Sequence, residues 1–501
     1  MFVRYSNAGS DNETGLLQRQ RAQFRSSGVT AGLVSVLGPT LTNDLRVNVS
    51  RVSVDSSWRS TSPLDLRTVL PPAVGEGRKL YALYVQGLGQ LVQGDPGESS
   101  QTQWTLVDTV GMTAGRHNIR LGVDYQRLRP RRDTAIATVV GTYESVRALA
   151  AGVAPQISIG NAGAGSSLLE TLSFFGQDTW HVSPRLNLTY GVRWEFTPPP
   201  SYQGSPLPNS NPGSAPVPAP PEPWMGVIGT NVQNTPVWKT RWNQFAPRLG
   251  VAYRLNSEGT TVVRAGTGLF YDLGFSSATD LINGAPYNRW ISLAAPAVNR
   301  ADTVHYAFAD NLKLPKSVHW NVTLERVLAR DTAVSAAYVG SSGKGLLRRE
   351  GYVNPLTNAA QLVLATNNGE SSFHSLQMQL RSRVRRGLRG VVSYVWGHSI
   401  DNGSWDSASF LVYSTQPDLD RGSSNFDVRH SATAALSWDV PGRHVLSRNW
   451  TLSGIWRGRT GFPIDIISGE NAFGLGFDNS FRPDLVAGVP IWVGGSLNPA
   501  A

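Results

Sequence analysis

The chain has 501 residues, 16% of them charged, a formal charge of +10 and a mean hydropathy of −0.20. This excludes a disordered polyampholyte and a helical membrane protein, since no run approaches the 18 or more apolar residues of a membrane-crossing helix. The absence of cysteine rules out a disulfide framework and a thiolate metal site. The arginines are spread over alternate strand positions and turns, so the charge does not point to nucleic acid; 51 Gly, 31 Pro and 15 Trp suit a turn-rich all-β chain.

In chain order, Phe2–Ser6 reads as the tail of a strand, and 23–37 and 42–54 follow as strands, the second with a slip at Arg51 that suggests a bulge. The segment 55–100 is mixed, with one strand near 81–92. A hairpin pairs 104–112 with 116–126, whose His117, Ile119, Leu121, Val123 and Tyr125 alternate with Asn118, Arg120, Asp124 and Gln126. After a loop at 128–171 comes the clearest hairpin, Leu172–Trp180 with Arg185–Phe196. There Leu186, Leu188, Tyr190, Val192, Trp194 and Phe196 point one way, and Arg185, Asn187, Thr189, Arg193 and Glu195 the other. A proline-rich loop at 197–243 cannot be sheet interior. Further hairpins are expected at 245–255/260–272, 318–327/332–339, 372–384/388–400 and 427–440/450–460, separated by loops at 273–315, 341–371 and 401–425.

About fifteen or sixteen strands result, in which short turns alternate with long loops. Arms of about 9–12 residues with one apolar face can cross a bilayer as tilted strands, with lipid on one side and a wet lumen on the other. Aromatics near strand ends (Trp180, Trp194, Phe196, Tyr253, Tyr271, Tyr394, Trp396, Trp438 and Trp450) are placed as an interfacial girdle. The fold expected is an all-β transmembrane antiparallel β-barrel with short periplasmic turns and long extracellular loops, in contact with outer-membrane lipid.

The segments Gly115–Tyr125, Phe174–Glu195, Phe245–Tyr253, Val263–Asp272, Trp320–Arg326, Ala337–Gly343, Ser393–Trp396 and Phe426–His430 resemble, in the same order, segments of TonB-dependent outer-membrane receptors. The nearest branch is Oar-like, with a carboxypeptidase-regulatory-like domain ahead of the plug. The resemblance implies that residues 1–501 are a partial barrel of a bacterial outer-membrane transporter, a fragment of an expected 22 strands. Met1–Ser6 shows no signal peptide, and no TonB box or plug is found. Uptake of an extracellular substrate, with energy coupling to a TonB-type complex through a plug, is what the family implies. Alternatives of other classes are a passive porin or surface-display barrel without energy coupling, and a secreted all-β carbohydrate-binding or hydrolytic protein. The last would need a carboxylate pair on neighbouring strands, and no persuasive one is found.

No catalytic, cofactor or metal site is assigned, and no enzyme activity is expected. Gly340–Gly345 fails the spacing of a phosphate loop and reads as a strand-end turn. None of the eight histidines (His117, His181, His305, His319, His374, His398, His430 and His444) stands in ligand spacing. Asp401, Asp406, Asp418 and Asp420 form an acidic loop patch, read as solvated surface with cation chelation as the alternative. Trp224, Trp238, Trp242, Trp290 and Trp405 are loop tryptophans able to stack on a ligand. Arg185, Arg193, Glu195, Arg248, Arg264 and Arg429 are placed on the lumen face, against a plug or simply keeping that face wet.

Overall fold

The computed structural model describes the chain except for residues 16–17, 62–63, 74–76, 163, 205–209, 214–228, 233–237, 273–287, 294–300, 310–311, 330, 354–359, 384–386, 405–415, 442–448, 467–485, 487, 491, 494–495 and 498–501. Fifteen strands form an antiparallel wall. They are β1 (Phe2–Thr14), β2 (Gln18–Val36), β3 (Leu41–Ser60), β4 (Gly89–Ala114), β5 (His117–Arg132), β6 (Gly165–His181), β7 (Leu186–Phe196) and β8 (Phe245–Arg254). The wall continues with β9 (Thr261–Tyr271), β10 (Lys316–Ala329), β11 (Thr332–Val353), β12 (Ala360–Arg383), β13 (Leu388–Asp401), β14 (His430–Asp439) and β15 (Thr451–Arg459). Each pairs with the next in sequence. Among the described residues β1 and β15 each have one neighbour, so the sheet is not closed.

Local chemistry sets the tight ends. Between β4 and β5 only Gly115 and Arg116 intervene, and Gly115 takes φ +59°, the left-handed conformation a two-residue hairpin demands. Between β6 and β7, Ser183 Oγ accepts from the Arg185 and Leu186 amides at 3.2 and 3.1 Å.

The wall is inside out by the standards of a soluble protein. Side chains exposed on its outer face include Leu121, Val192, Leu249, Val322, Leu380, Val392 and Trp456, from 41 to 60% accessible. Buried positions in the wall include Ser173, Glu195 and Ser375. That polarity is stable only with hydrocarbon outside and water or protein inside. Aromatic belts bound the apolar band. At the long-loop end Phe174, Trp194, Phe196 and Trp242 stack with centroids 4.4–6.2 Å apart, and Tyr338 and Tyr394 bond the Nδ1 atoms of His374 and His430 at 2.7 and 2.8 Å. At the short-turn end lie Trp180 stacked on His117, Trp438 and Trp450. His430 and Trp438 are eight residues apart on β14, about 26 Å of strand at about 3.3 Å per residue, which matches an apolar band about 25 Å tall once tilt is allowed for.

Three expected loops are in large part strand. β3 reaches Ser60 and β4 begins at Gly89; β5 reaches Arg132 and β6 begins at Gly165; β11 reaches Val353 and β12 begins at Ala360. Stretches such as Asp55–Ser57 and Glu98–Gln103 are polar on both faces, because above the bilayer both faces are wet. The alternation that marks a membrane strand therefore stops while the ladder continues. Gly340–Gly345 likewise lies within β11, not at its end; Gly345, at φ +65°, sits in a register shift between Lys344 and Leu346.

Above the wall, five further strands form a cap. Arg78–Val85 pairs with the start of β4 and runs parallel to Ile136–Tyr143, which pairs with Gln156–Ala162. That strand pairs with Asn288–Leu293, which pairs with Ala301–Phe308, which runs parallel to Ala360–Ala365 of β12. The ladder thus returns to the wall eight strands further round. With Ser201–Gly204 and Gly422–Ser423, wall and cap make one 22-stranded sheet. Beneath the cap Leu66, Leu70, Tyr81, Leu83 and Val139 pack as a conventional apolar core.

Candidate functional site: lumen face and outer mouth

Cross-strand register places Asp124 of β5, Ser173 of β6 and Glu195 of β7 opposite one another on the inner face. One step below, Arg193 ties the row together: Nη2 donates to Asp124 Oδ2 at 2.8 Å and to Ser173 Oγ at 2.9 Å, and Nε to Glu195 Oε1 at 3.0 Å. The period-two pattern forces this, because Arg193 and Glu195 share a face while Trp194 between them points to lipid. Glu195 and the adjoining Gln244 are buried, and among the described residues neither Glu195 Oε2 nor Gln244 Oε1 has a hydrogen-bond partner. Arg248 lies over the Phe270 ring at 4.5 Å, and Arg264 pairs with Glu325 at 3.3 Å.

Two of the six expected lumen residues sit elsewhere. Arg185 falls in the turn before β7, where its carbonyl accepts from the Arg254 amide. Arg429 lies at the outer end of β13, paired with Asp427 at 3.1 Å and bonded to His398 at 2.6 Å. Both stand outside strand bounds, where alternation no longer sets the direction of a side chain.

At the outer mouth, Arg348 is fully buried between Glu350 Oε1 at 3.0 Å and Asp420 Oδ2 at 2.9 Å, and donates to Asn402 O at 2.8 Å. Asn368 Nδ2 donates to both oxygens of Glu350. The network fastens the β11–β12 extension to the 402–429 connection; satisfied on several sides, such a group gives fixed geometry more than stability. Beside it is a cavity of about 460 Å³ lined by Asp401, Asn402, Ser404, Asp420, Arg421 and Asp465.

The acidic patch divides. Asp420 is committed to Arg348, Asp401 accepts from Ser404 Oγ at 2.8 and 2.9 Å, Asp418 is exposed, and Asp406 lies outside the described residues. Among the described residues no group of His, Asp and Glu is arranged to hold a metal. Of the loop tryptophans, Trp238 is buried with Nε1 donating to Thr197 O at 3.2 Å, and Trp242 belongs to the outer aromatic belt. Trp224 and Trp405, and the side chain of Trp290, lie outside the described residues, as do the side chains of His305 and His444. Sequence reasoning missed the Arg348 cluster; the spacing of Arg348 and Glu350 puts both on one strand face, a signal hidden once the segment is read as loop.

A family model for the outer membrane beta barrel domain matches residues 1–501. A comparison with curated proteins found no match. Among solved structures, the fold is similar to the outer membrane transporter YddB from Escherichia coli, with a TM-score of 0.57 and 12% identity over 94% of this chain and 56% of that one. It is also similar to the copper transporter OprC, with a TM-score of 0.50 and 11% identity over 91% of this chain and 57% of that one. The chain therefore spans little more than half the length of the solved structures it matches.

Proposed function

Because this chain belongs to the outer membrane β-barrel domain family and is a protein of the outer membrane, we propose that it supplies the wall and outer loops of a TonB-dependent transporter of the Oar-like branch. An extracellular substrate is received at the mouth, and a plug absent from residues 1–501 couples its release into the lumen to a TonB-type complex. The observation that carries this reading is the inner wall at Glu195 and Gln244. Two buried acceptors, Glu195 on β7 and Gln244 just before β8, lack donors among the described residues, and leaving such groups unmet costs about 1–3 kcal/mol each. A lumen filled by a folded plug supplies those donors; an open porin channel would leave them to water. The single-neighbour edges of β1 and β15 support further strands completing the wall, since open ladder edges are not tolerated in lipid.

The test is a photocrosslinking residue at Gln177, an exposed lumen position on β6, in the protein as made in its own outer membrane. An adduct to protein outside residues 1–501, together with low ion conductance in planar bilayers, is the expected result. Steady open conductance with no adduct would reject the plug and favour a passive porin.

A further inference from the structure

We propose that the outer face of β2–β5 carries a binding surface for the phosphate groups of outer-leaflet lipid, formed by Arg25, Arg51, Arg127, Arg129 and Arg131. The inference rests on the outer-membrane location of the wall and is independent of whether the protein transports anything.

Register fixes the surface. The outermost apolar row on this arc is Tyr5, Val29, Val49 and Trp104, cross-strand neighbours that end at Arg127. One step outward along the strands the row is Ser27, Arg51, Thr102 and Arg129, and the next is Arg25, Ser53, Ser100 and Arg131. All five arginines therefore share the lipid-facing side, at or directly above the aromatic boundary, where headgroups lie. Arg51 and Arg129 flank Thr102 two strand spacings apart, about 10 Å, a separation that suits two phosphates on one headgroup. With only Thr102 between them, the 60% exposed Arg51 presents its guanidinium fork for bidentate contact.

Competing partners hold Arg51 and Arg127 loosely. Arg51 meets Glu98 and Arg127 meets Glu170 only at 3.9 Å, with the arginines 60 and 44% exposed, and exposed pairs of this kind are worth about 0–1 kcal/mol. Arg131 pairs with Asp133, and Arg129 reaches Ser166 Oγ at 3.4 Å. The next row up contains Asp11, Asp55 and Glu98, so the basic rows lie between an apolar belt and an acidic one, and anions are attracted at one height. On the far arc the row directly above the belt is Val318, Ser342, Ser372 and Ile400. The arginines are a property of one side of the wall.

The protein, extracted in mild detergent from outer membranes, is titrated with micelle-dispersed diphosphorylated lipid A. Each arginine is expected to contribute about fivefold, so the triple change Arg25→Gln, Arg51→Gln, Arg129→Gln should weaken binding on the order of a hundredfold, and Arg51→Gln alone about fivefold. The corresponding triple change to lysine should keep most of the binding, and Asp55→Asn should leave it unchanged or tighter. Wild-type binding by both glutamine variants would overturn the proposal. So would displacement of lipid A by equimolar inorganic phosphate, which would assign the arginines to free anions.

Discussion

The wall and the cap are built from one chain in one continuous sheet, yet they obey opposite rules. In the cap, Leu66 and Val139 are 1 and 0% exposed, an apolar core closed off from solvent. In the wall, Leu249 and Trp456 are 56 and 60% exposed on the outer face, while Arg193 and Glu195 face inward in a bonded cluster. The difference teaches that the boundary between solvents, not the boundary between secondary-structure elements, divides this molecule. β4 crosses it within one strand: Ser99–Gln103 is polar on both faces, and Trp104–Met112 has an apolar outer side.

The sharpest way to test the contrast is to delete the same atoms in each region. Leu66→Ala should cost the cap about 2–5 kcal/mol, because it opens a cavity in a closed core. Leu249→Ala, where lipid refills the space, should cost less than about 1 kcal/mol. Hydrogen exchange of amides in Arg78–Val85 and in β8 reads the two separately. Equal loosening in both would mean that the wall is packed from outside by protein, not lipid.

A second pair probes the wall alone. Val392 points outward and Ser393, the next residue, points inward on β13. Val392→Arg should destabilise the wall by about 2–4 kcal/mol, as a charge near the bilayer midplane does, whereas Ser393→Arg should be tolerated in a wet lumen. The yield of protease-resistant protein in outer-membrane fractions measures both. Similar losses would mean that both faces of β13 meet the same apolar surroundings.

Where lipid sits on one face, the sequence was legible: the second arm of the 172–196 hairpin appears as β7, with Asn187 to Glu195 inward and Leu186 to Phe196 outward in turn. The expected fifteen or sixteen strands match the fifteen of the wall but miss the cap strands of the 22-stranded sheet. Arg193, Glu195, Arg248 and Arg264 could be placed by parity alone. Legibility fails at the solvent boundary. Beyond Val54, β3 continues through Asp55–Ser60 with Trp58 as its one large apolar residue, and the cap strands are short, partly parallel and joined by pairings between distant segments, which no local period announces. Arg348, Glu350 and Asp420 belong to this second class: two are neighbours in sequence, but the third arrives from 70 residues away, and only the fold makes them a cluster.

The smallest effect concerns how the cap is held to the wall. Asp65 caps the one-turn helix Leu66–Val69, accepting from the Arg67 amide at 3.0 Å and from Gln93 Nε2 of β4 at 3.0 Å, while Gln93 Oε1 accepts from the Leu66 amide at 2.9 Å. The side-chain bond from Arg67, then its backbone amide, hold the Asp65 carboxyl well below the usual carboxylate range. A carboxyl with a depressed folded pKa stabilises the fold above its unfolded pKa, and this is lost as pH falls through the folded value. The cap should therefore keep its tether through mildly acidic pH, and loosen only in strong acid, whereas the lipid-buried outer face of the wall has no such dependence. Exchange at the Leu66 and Leu70 amides against pH measures this; Asp65→Asn, which keeps an acceptor but removes the charge, should flatten the acid limb with only a slight change near neutrality. If the acid limb persists in that variant, the pH sensitivity of the cap resides in another carboxylate and the Asp65–Gln93 link is only a passive contact.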